Sequence, residues 1–160
     1  MENNVNKKEA LRKKSLGELG ELFGIKALVD NEFEKIKNLN DTKMNFPFAD
    51  LYAEKDGNKY VISIKARNKH QKNGKENTSY NLGDNVYLKA EKAENEYDAK
   101  AYWMAIQFDE LTYSIYFGSL KDLEHKLIPI NKCKDETNPI GKCIVKDKRH
   151  YFDFSFFRNT

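Results

Sequence analysis

The sequence has few of the residues that mark several common functional classes. Its 160 residues include only two cysteines, three histidines and three prolines, and its formal net charge is +3. Cys133 and Cys143 make a poor zinc site because no second Cys or His pair stands at ligand spacing. Free thiols in a reducing compartment are expected instead. Because the charges nearly balance, any surface that binds a polyanion must come from local clustering.

Long hydrophobic runs are also missing. No window approaches the roughly 18 apolar residues that span a bilayer, and the polar start has no apolar core of a secretory signal. We therefore expect no membrane partner and a cytoplasmic location. The composition, with 39% hydrophobic and 33% charged residues, is typical of a soluble globular protein. The length predicts a single domain over residues 1–160.

The apolar spacing gives a coarse order of elements. One helix is predicted over residues 7–29, in spite of its three glycines. The segment 31–40 fits neither the helix period nor the strand period. Downstream, the patterns predict a loop over 68–85, a helix within 85–100, strands over 101–108, 113–120 and 150–157, a helical turn over 120–127 and an irregular segment over 131–143. This order indicates an α/β or α+β class without an internal repeat.

The stretch FPFADLYAEKDGNKYVISIKAR, residues 46–67, predicts a β-hairpin around a Lys-Asp-Gly-Asn turn. A loop of two or four residues places Asp50 opposite Ser63 and leaves Lys65 on the same face. A three-residue loop would shift the register by one residue. The other face collects apolar side chains suited to packing against a helix, namely Ala49, Leu51, Ala53, Tyr60, Ile62, Ile64 and Ala66.

Carboxylates of the predicted helix complete the polar group. Glu18 and Glu21 fall on an otherwise apolar flank, where a charge needs a partner or a cation because burying it alone is costly. With Asp50 they can supply oxygen ligands to Mg²⁺, while Lys65 contacts an attacking water or the scissile phosphate. Alternatively, the glutamates are exposed, and Asp50 and Lys65 form a cross-strand ion pair worth about 0–1 kcal/mol.

These motifs resemble those of the PD-(D/E)xK nucleases, which have the restriction-endonuclease-like fold. The sequence GELGE at 17–21 is similar to the Gly-x-x-Gly-Glu helix motif of several branches, and SIK at 63–65 occupies the (D/E)xK position. The resemblance covers roughly the first half of the chain and implies an α/β core with a mixed central β-sheet flanked by helices. It also implies metal binding by Glu21, Asp50 and the main-chain carbonyl of Ile64, and a catalytic role for Lys65.

Ser63 departs from the family pattern, because its neutral hydroxyl is a weaker Mg²⁺ ligand than the usual carboxylate. Certain intron-encoded homing endonucleases are similar in carrying a neutral Gln there, and Glu18 is a candidate compensating ligand. Two hypotheses follow. The first is a restriction-type endodeoxyribonuclease that uses Mg²⁺, or alternatively Mn²⁺, with Ser63 in its catalytic set. The second is a weakened nuclease-fold module that binds nucleic acid or a protein partner, for example as a toxin-neutralising protein.

A basic segment follows the predicted catalytic end of the hairpin. Its candidate nucleic-acid contacts are Arg67, Lys69, His70, Lys72 and Lys75. The alternative is a solvated, flexible connection. DNA is the expected partner, with RNA left open, and cutting both strands of a duplex usually requires two sites, which favours a homodimer. Aromatic residues such as Trp103, Phe108 and Tyr113 follow strand periodicity, so we assign them to the sheet core.

Overall fold

The structure of the chain is a computed structural model that describes residues 2–41, 48–135, 137 and 140–150. The strand predicted over 150–157 lies, from residue 151 onward, outside the described residues. The helices are α1 (Glu2–Asp30), α2 (Val86–Tyr97) and α3 (Ile130–Cys133), and a 3-10 turn spans Leu120–Asp122. The strands are β1 (Glu34–Asn38), β2 (Leu51–Lys55), β3 (Asn58–Asn68), β4 (Ser79–Asn81), β5 (Lys100–Phe108), β6 (Thr112–Ser119), β7 (Leu127–Pro129) and β8 (Lys142–Arg149).

Six of these strands form one mixed sheet in the order β1-β2-β3-β5-β6-β8. The β3–β5 pair is parallel, and the other neighbouring pairs are antiparallel. Because parallel strands need a crossover, the chain passes through α2 between β3 and β5. A small second sheet pairs β4 with β7. The predicted α/β class with a mixed central sheet is therefore confirmed.

Helices cover both faces of the sheet. On one face α1 packs against apolar side chains of β2, β3 and β5, including Ile62, Ile64 and Met104. On the other face Val61 and Trp103 pack with the small residues of α2, Ala90 and Ala93. The face that carries Ser63 is therefore buried at that position, where Ser63 is 4% exposed. The assignment of the aromatic strand residues to the core is confirmed for Trp103, Phe108, Tyr113 and Tyr116.

The helix α1 is longer than predicted and continues through its glycines. A Cβ at Gly20 would stand 2.7 Å from the Ala66 Cβ, and one at Gly24 would stand 2.9 Å from the Ile64 Cδ1. The two glycines thus allow α1 to lie very close to β3. Their stripe faces the sheet, and three large apolar residues of the helical pattern, Leu11, Leu22 and Val29, are exposed.

The hairpin register is the predicted one. Leu51 pairs with Ile62 and Tyr52 with Val61, as expected for a two-residue loop. The loop residues Asp56 and Gly57 both have positive φ values, of 51° and 80°, which is typical of a type I′ turn. Ala49 does not join the apolar face of the hairpin, because it precedes β2 and packs in the cluster on the α2 side.

Several weaker predictions need correction. The segment 31–40 contains strand β1, and the loop over 68–85 contains the short strand β4. The irregular segment over 131–143 ends in β8, an edge strand whose residues are mostly exposed. An edge strand without a buried face has no apolar alternation to reveal it. The helical turn predicted over 120–127 is limited to the 3-10 turn at its start.

Candidate active site

Asp50 lies where β2 begins and β3 continues past it. The Asp50 N–H donates to the carbonyl of Ile62, the residue that pairs with Leu51, at 2.8 Å. The Asp50 Oδ2 then accepts a hydrogen bond from the Ile64 N–H at 2.7 Å. The Asp50 carboxylate therefore accepts the hydrogen bond that the main chain of β2 would accept if this strand extended further. This bond fixes the position of the carboxylate.

The same geometry orients the Ile64 carbonyl. Within a strand, the N–H and C=O groups of one residue point to the same edge. Because the Ile64 N–H points to Asp50, the Ile64 carbonyl oxygen also faces the edge of β3 that lies beyond the first residue of β2. A main-chain oxygen is thus available beside the Asp50 carboxylate.

Glu21 reaches this edge from α1, on the other side of the sheet from α2. Its Oε1 accepts a hydrogen bond from the Asn40 amide at 2.7 Å, and its Oε2 accepts one from the Asn38 amide at 3.2 Å. The Asn40 amide also lies 3.4 Å from the Asp50 Oδ1. Asn40 therefore links the carboxylates of Glu21 and Asp50, and Asn38 contacts that of Glu21; the sequence did not indicate either asparagine.

Burial raises the pKa of both carboxylates. For Glu21 the negative charge of Asp50 adds to this rise, while hydrogen bonds from Asn38 and Asn40 oppose it. For Asp50 the hydrogen bond from the Ile64 N–H is the main opposing effect, followed by Asn40 and by the charge of Lys65. Two partly buried carboxylates that repel each other form a site where a cation would be stabilised.

Lys65 approaches the same edge from the α2 face, because alternate residues of β3 point to alternate faces. Burial lowers the pKa of its ammonium group, the charge of Asp50 raises it, and the charges of Arg67 and Lys89 lower it further. Asp50 and Lys65 thus stabilise each other's charged forms across this edge. Lys89 belongs to α2 and was missed, because no sequence signal connects it to β3.

Ser63 and Glu18 differ in burial and position from Glu21, Asp50 and Lys65. Ser63 is on the same face of β3 as Lys65 and is almost completely buried. Glu18 is exposed on α1, about one turn before Glu21. Its charge is the smallest of the effects that raise the pKa of Glu21. The structure thus leaves Glu18 at the margin of the site.

The candidate nucleic-acid residues after β3 have mixed surroundings. Arg67 is exposed and donates to the Ala66 carbonyl at 2.7 Å. Lys69 lies 4.0 Å from the Asp109 carboxylate, and His70 pairs in an isolated bridge with Glu76. Lys72 and Lys75 are exposed at the tip of the loop. Acidic residues therefore lie beside Lys69 and His70, in the middle of this segment. The cations at its two ends, Arg67 on one side and Lys72 and Lys75 on the other, are exposed.

The donor set suits a hard divalent cation. Mg²⁺ is typically bound through one or two carboxylates, with waters and substrate phosphates completing its shell. Glu21 and Asp50 supply two carboxylates, and Ile64 supplies a carbonyl oxygen on the same edge. Within the described parts of the chain, no cluster of three or more His, Cys, Asp or Glu side chains could hold a metal ion.

No helix among the described residues is both long enough and apolar enough to cross a membrane. No family model matches the sequence, and no curated protein matches it either.

The fold does have a relative among solved structures. The chain is similar to Hjc, a Holliday junction resolvase from the archaeal hyperthermophile Archaeoglobus fulgidus, with a TM-score of 0.55 and 17% sequence identity. The match covers 80% of this chain and 96% of that chain. At this identity the likeness concerns the fold alone. It confirms the predicted α/β fold, in which a mixed central sheet is flanked by helices as in the nuclease fold of Hjc.

Proposed function

We propose that this chain is a metal-dependent endodeoxyribonuclease that hydrolyses DNA phosphodiester bonds, with restriction-type cleavage as the first specific hypothesis. The observation that carries the proposal is the approach of Glu21, Asp50 and Lys65 to the edge of β3 at the point where β2 begins. Glu21 belongs to α1, Asp50 directly precedes β2, and Lys65 belongs to β3. Glu21 and Lys65 therefore approach from opposite faces of the sheet. The nuclease fold and the DNA-junction activity named for Hjc support the proposal.

Each residue has a role that follows from its surroundings. Glu21 and Asp50, with the Ile64 carbonyl, would hold Mg²⁺ or Mn²⁺, and Asn40 keeps the two carboxylates in one orientation. Such an ion, when bound, neutralises charge on the phosphate and helps to generate the nucleophile from water. The Lys65 ammonium stabilises the charge that develops on the phosphate oxygens in the transition state. Because Lys65 is partly desolvated, this interaction is stronger than it would be in water.

A second candidate function is favoured by Ser63. Its hydroxyl replaces a carboxylate at a buried position, so one metal-ligand charge is missing. A chain of this kind would keep the fold and bind nucleic acid or a protein partner with little turnover. Binding of a divalent metal separates the two functions, since only the nuclease requires it.

The test is cleavage of plasmid DNA, short duplexes, four-way junctions and RNA with Mg²⁺ or Mn²⁺. The wild type is compared with Asp50→Ala, Lys65→Ala and the control Lys59→Ala, an exposed lysine at the far end of β3. We expect cleavage of DNA by the wild type and the control, and none by the two site variants. Inactivity of the wild type on every substrate rules out the enzyme, and equal cleavage by all variants rules out the site. Homodimerisation and a cytoplasmic location remain predictions.

A further inference from the structure

Three cations meet on the α2 face of the sheet at the carboxyl end of β3. Lys65 and Arg67 lie two residues apart on this strand, and Lys89 comes from the first turns of α2. The charges of Arg67 and Lys89 both act on the Lys65 ammonium group. Holding three like charges near one another costs electrostatic free energy, which a polyanion would recover.

The rotation of α2 about its axis determines where Lys89 points. Val86, Ala90 and Ala93 are buried against the sheet. On one flank, the Tyr87 hydroxyl donates to the Leu123 carbonyl at 2.7 Å, and this flank faces the segment after β6. At about 100° per residue, Lys89 lies on the opposite flank of the buried stripe. It therefore faces β3, the strand that carries Lys65.

The surroundings of Lys89 differ from those of the loop after β3. In that loop Lys69 lies beside Asp109, and Glu76 binds the ammonium of Lys134 at 2.8 Å. The carboxylate that feels the charge of Lys89 is Asp84, and Asp84 is itself held by Lys126. Lys89 is also exposed. Its positive charge is thus less compensated than the charges in the middle of the loop.

We propose that Lys89 binds a backbone phosphate next to the one at Lys65, so that the DNA strand leaves the site over the first half of α2. This inference rests on the proposed function of the site and adds a path for its substrate. Arg67 lies between the carboxylate edge and the loop, so it contacts the same stretch of backbone. The tip of the loop, with Lys72 and Lys75, is a secondary contact on this path.

The experiment measures binding of a short fluorescein-labelled DNA duplex by anisotropy, in EDTA and over a series of salt concentrations. Each phosphate contact contributes about 0.9 to the slope of log K against log salt concentration. We therefore expect Lys89→Ala to reduce this slope by about one, as for a single phosphate contact. The control is Lys59→Ala, an exposed lysine at the far end of β3 from Lys65. Its slope should equal that of the wild type.

Two further variants keep the result interpretable. Lys89→Arg keeps a cation and should restore the wild-type slope, whereas a general loss of structure would not be rescued. Lys72→Ala should reduce the slope less than Lys89→Ala. A slope for Lys89→Ala equal to that of Lys59→Ala overturns the inference, as does a larger effect of Lys72→Ala.

Failure of this inference is distinguishable from failure of the nuclease proposal. If the wild type cleaves DNA but Lys89→Ala keeps the full slope, the path over α2 is wrong and the nuclease stands. If Lys89→Ala reduces the slope but the wild type cleaves nothing with Mg²⁺ or Mn²⁺, the path stands and the nuclease proposal is wrong. A wild type that binds no DNA at low salt overturns both.

Discussion

The two sides of the candidate site are built in different ways. On the α1 side, the carboxylates of Glu21 and Asp50 are fixed by Asn38, Asn40 and the Ile64 N–H. On the α2 side, the charges of Arg67 and Lys89 both oppose the charge of Lys65. A network of donors around carboxylates preorganises a cation site before any ligand arrives. The repulsion between the cations of the α2 side is instead relieved when a polyanion binds. The stability of the α2 side therefore depends on the substrate.

The largest expected effect comes from removing a carboxylate of the α1 side. Glu21→Gln keeps the size of the side chain but removes its charge, and we expect cleavage to fall by about 100-fold or more. Glu18→Gln should reduce cleavage far less, because Glu18 is exposed at the margin of the site. Initial rates at saturating Mg²⁺ measure both effects. Similar losses in the two variants would show that Glu18 is also a ligand.

The hydrogen-bond network of the α1 side predicts a smaller effect. Asn40→Ala removes the amide that contacts both carboxylates, so we expect cleavage to fall by about 10-fold. The apparent Mg²⁺ requirement should rise at the same time, because the carboxylates lose their fixed orientation. Asn95→Ala, at an exposed position of α2, is the control. An unchanged Mg²⁺ titration for Asn40→Ala would contradict preorganisation by this residue.

Ser63 shares the α2 side with Lys65, and its substitution tests whether another carboxylate strengthens the cation site. Ser63→Asp adds a carboxylate at a buried position, so Mg²⁺ affinity measured by calorimetry should rise by about 10-fold. Without metal, the buried charge should lower the free energy of unfolding by about 1–3 kcal/mol. Saturating Mg²⁺ should offset this loss, since a ligand that binds the folded state stabilises it. Ser63→Asn controls for size, and an equal Mg²⁺ affinity in both variants would exclude Ser63 from the metal site.

The sequence predicted the parts of this site that depend on local geometry. The turn at Asp56 and Gly57 fixes the register of the hairpin, and the register places Asp50 near Lys65. The position of Glu21 followed from the helical period. Asn38 and Asn40 were missed because the segment around them fits neither period, although it forms β1 and the turn after it. Their role depends on where α1 lies, which is a tertiary property.

Other features could not be predicted because they depend on packing between distant segments. Lys89 reaches the site only through the crossover of α2 between parallel strands. The exposed positions of Leu11, Leu22 and Val29 depend on which stripe of α1 faces the sheet. Glycine is not counted as apolar in a helical pattern, so a pattern of large side chains could not identify the true contact stripe.

The smallest expected effect concerns the close packing of α1 against β3. Gly20→Ala places a Cβ 2.7 Å from the Cβ of Ala66, so the helix must shift, and the free energy of unfolding should fall by about 1–3 kcal/mol. Cleavage should fall too, because α1 carries Glu21. At Gly17 a Cβ meets none of the described residues within 4 Å. Gly17→Ala should therefore raise the free energy of unfolding by about 0.5–1 kcal/mol through helix propensity.

Urea denaturation of the two variants measures this contrast directly. Because both substitutions are Gly→Ala in one helix, their propensity gain is the same, and any difference between them reports contact with β3. Equal stabilisation by both would mean that α1 lies further from the sheet than the positions of Gly20 and Gly24 indicate. In that case Glu21 would also lie further from Asp50, and the meeting of carboxylates on which the cation site depends would be lost.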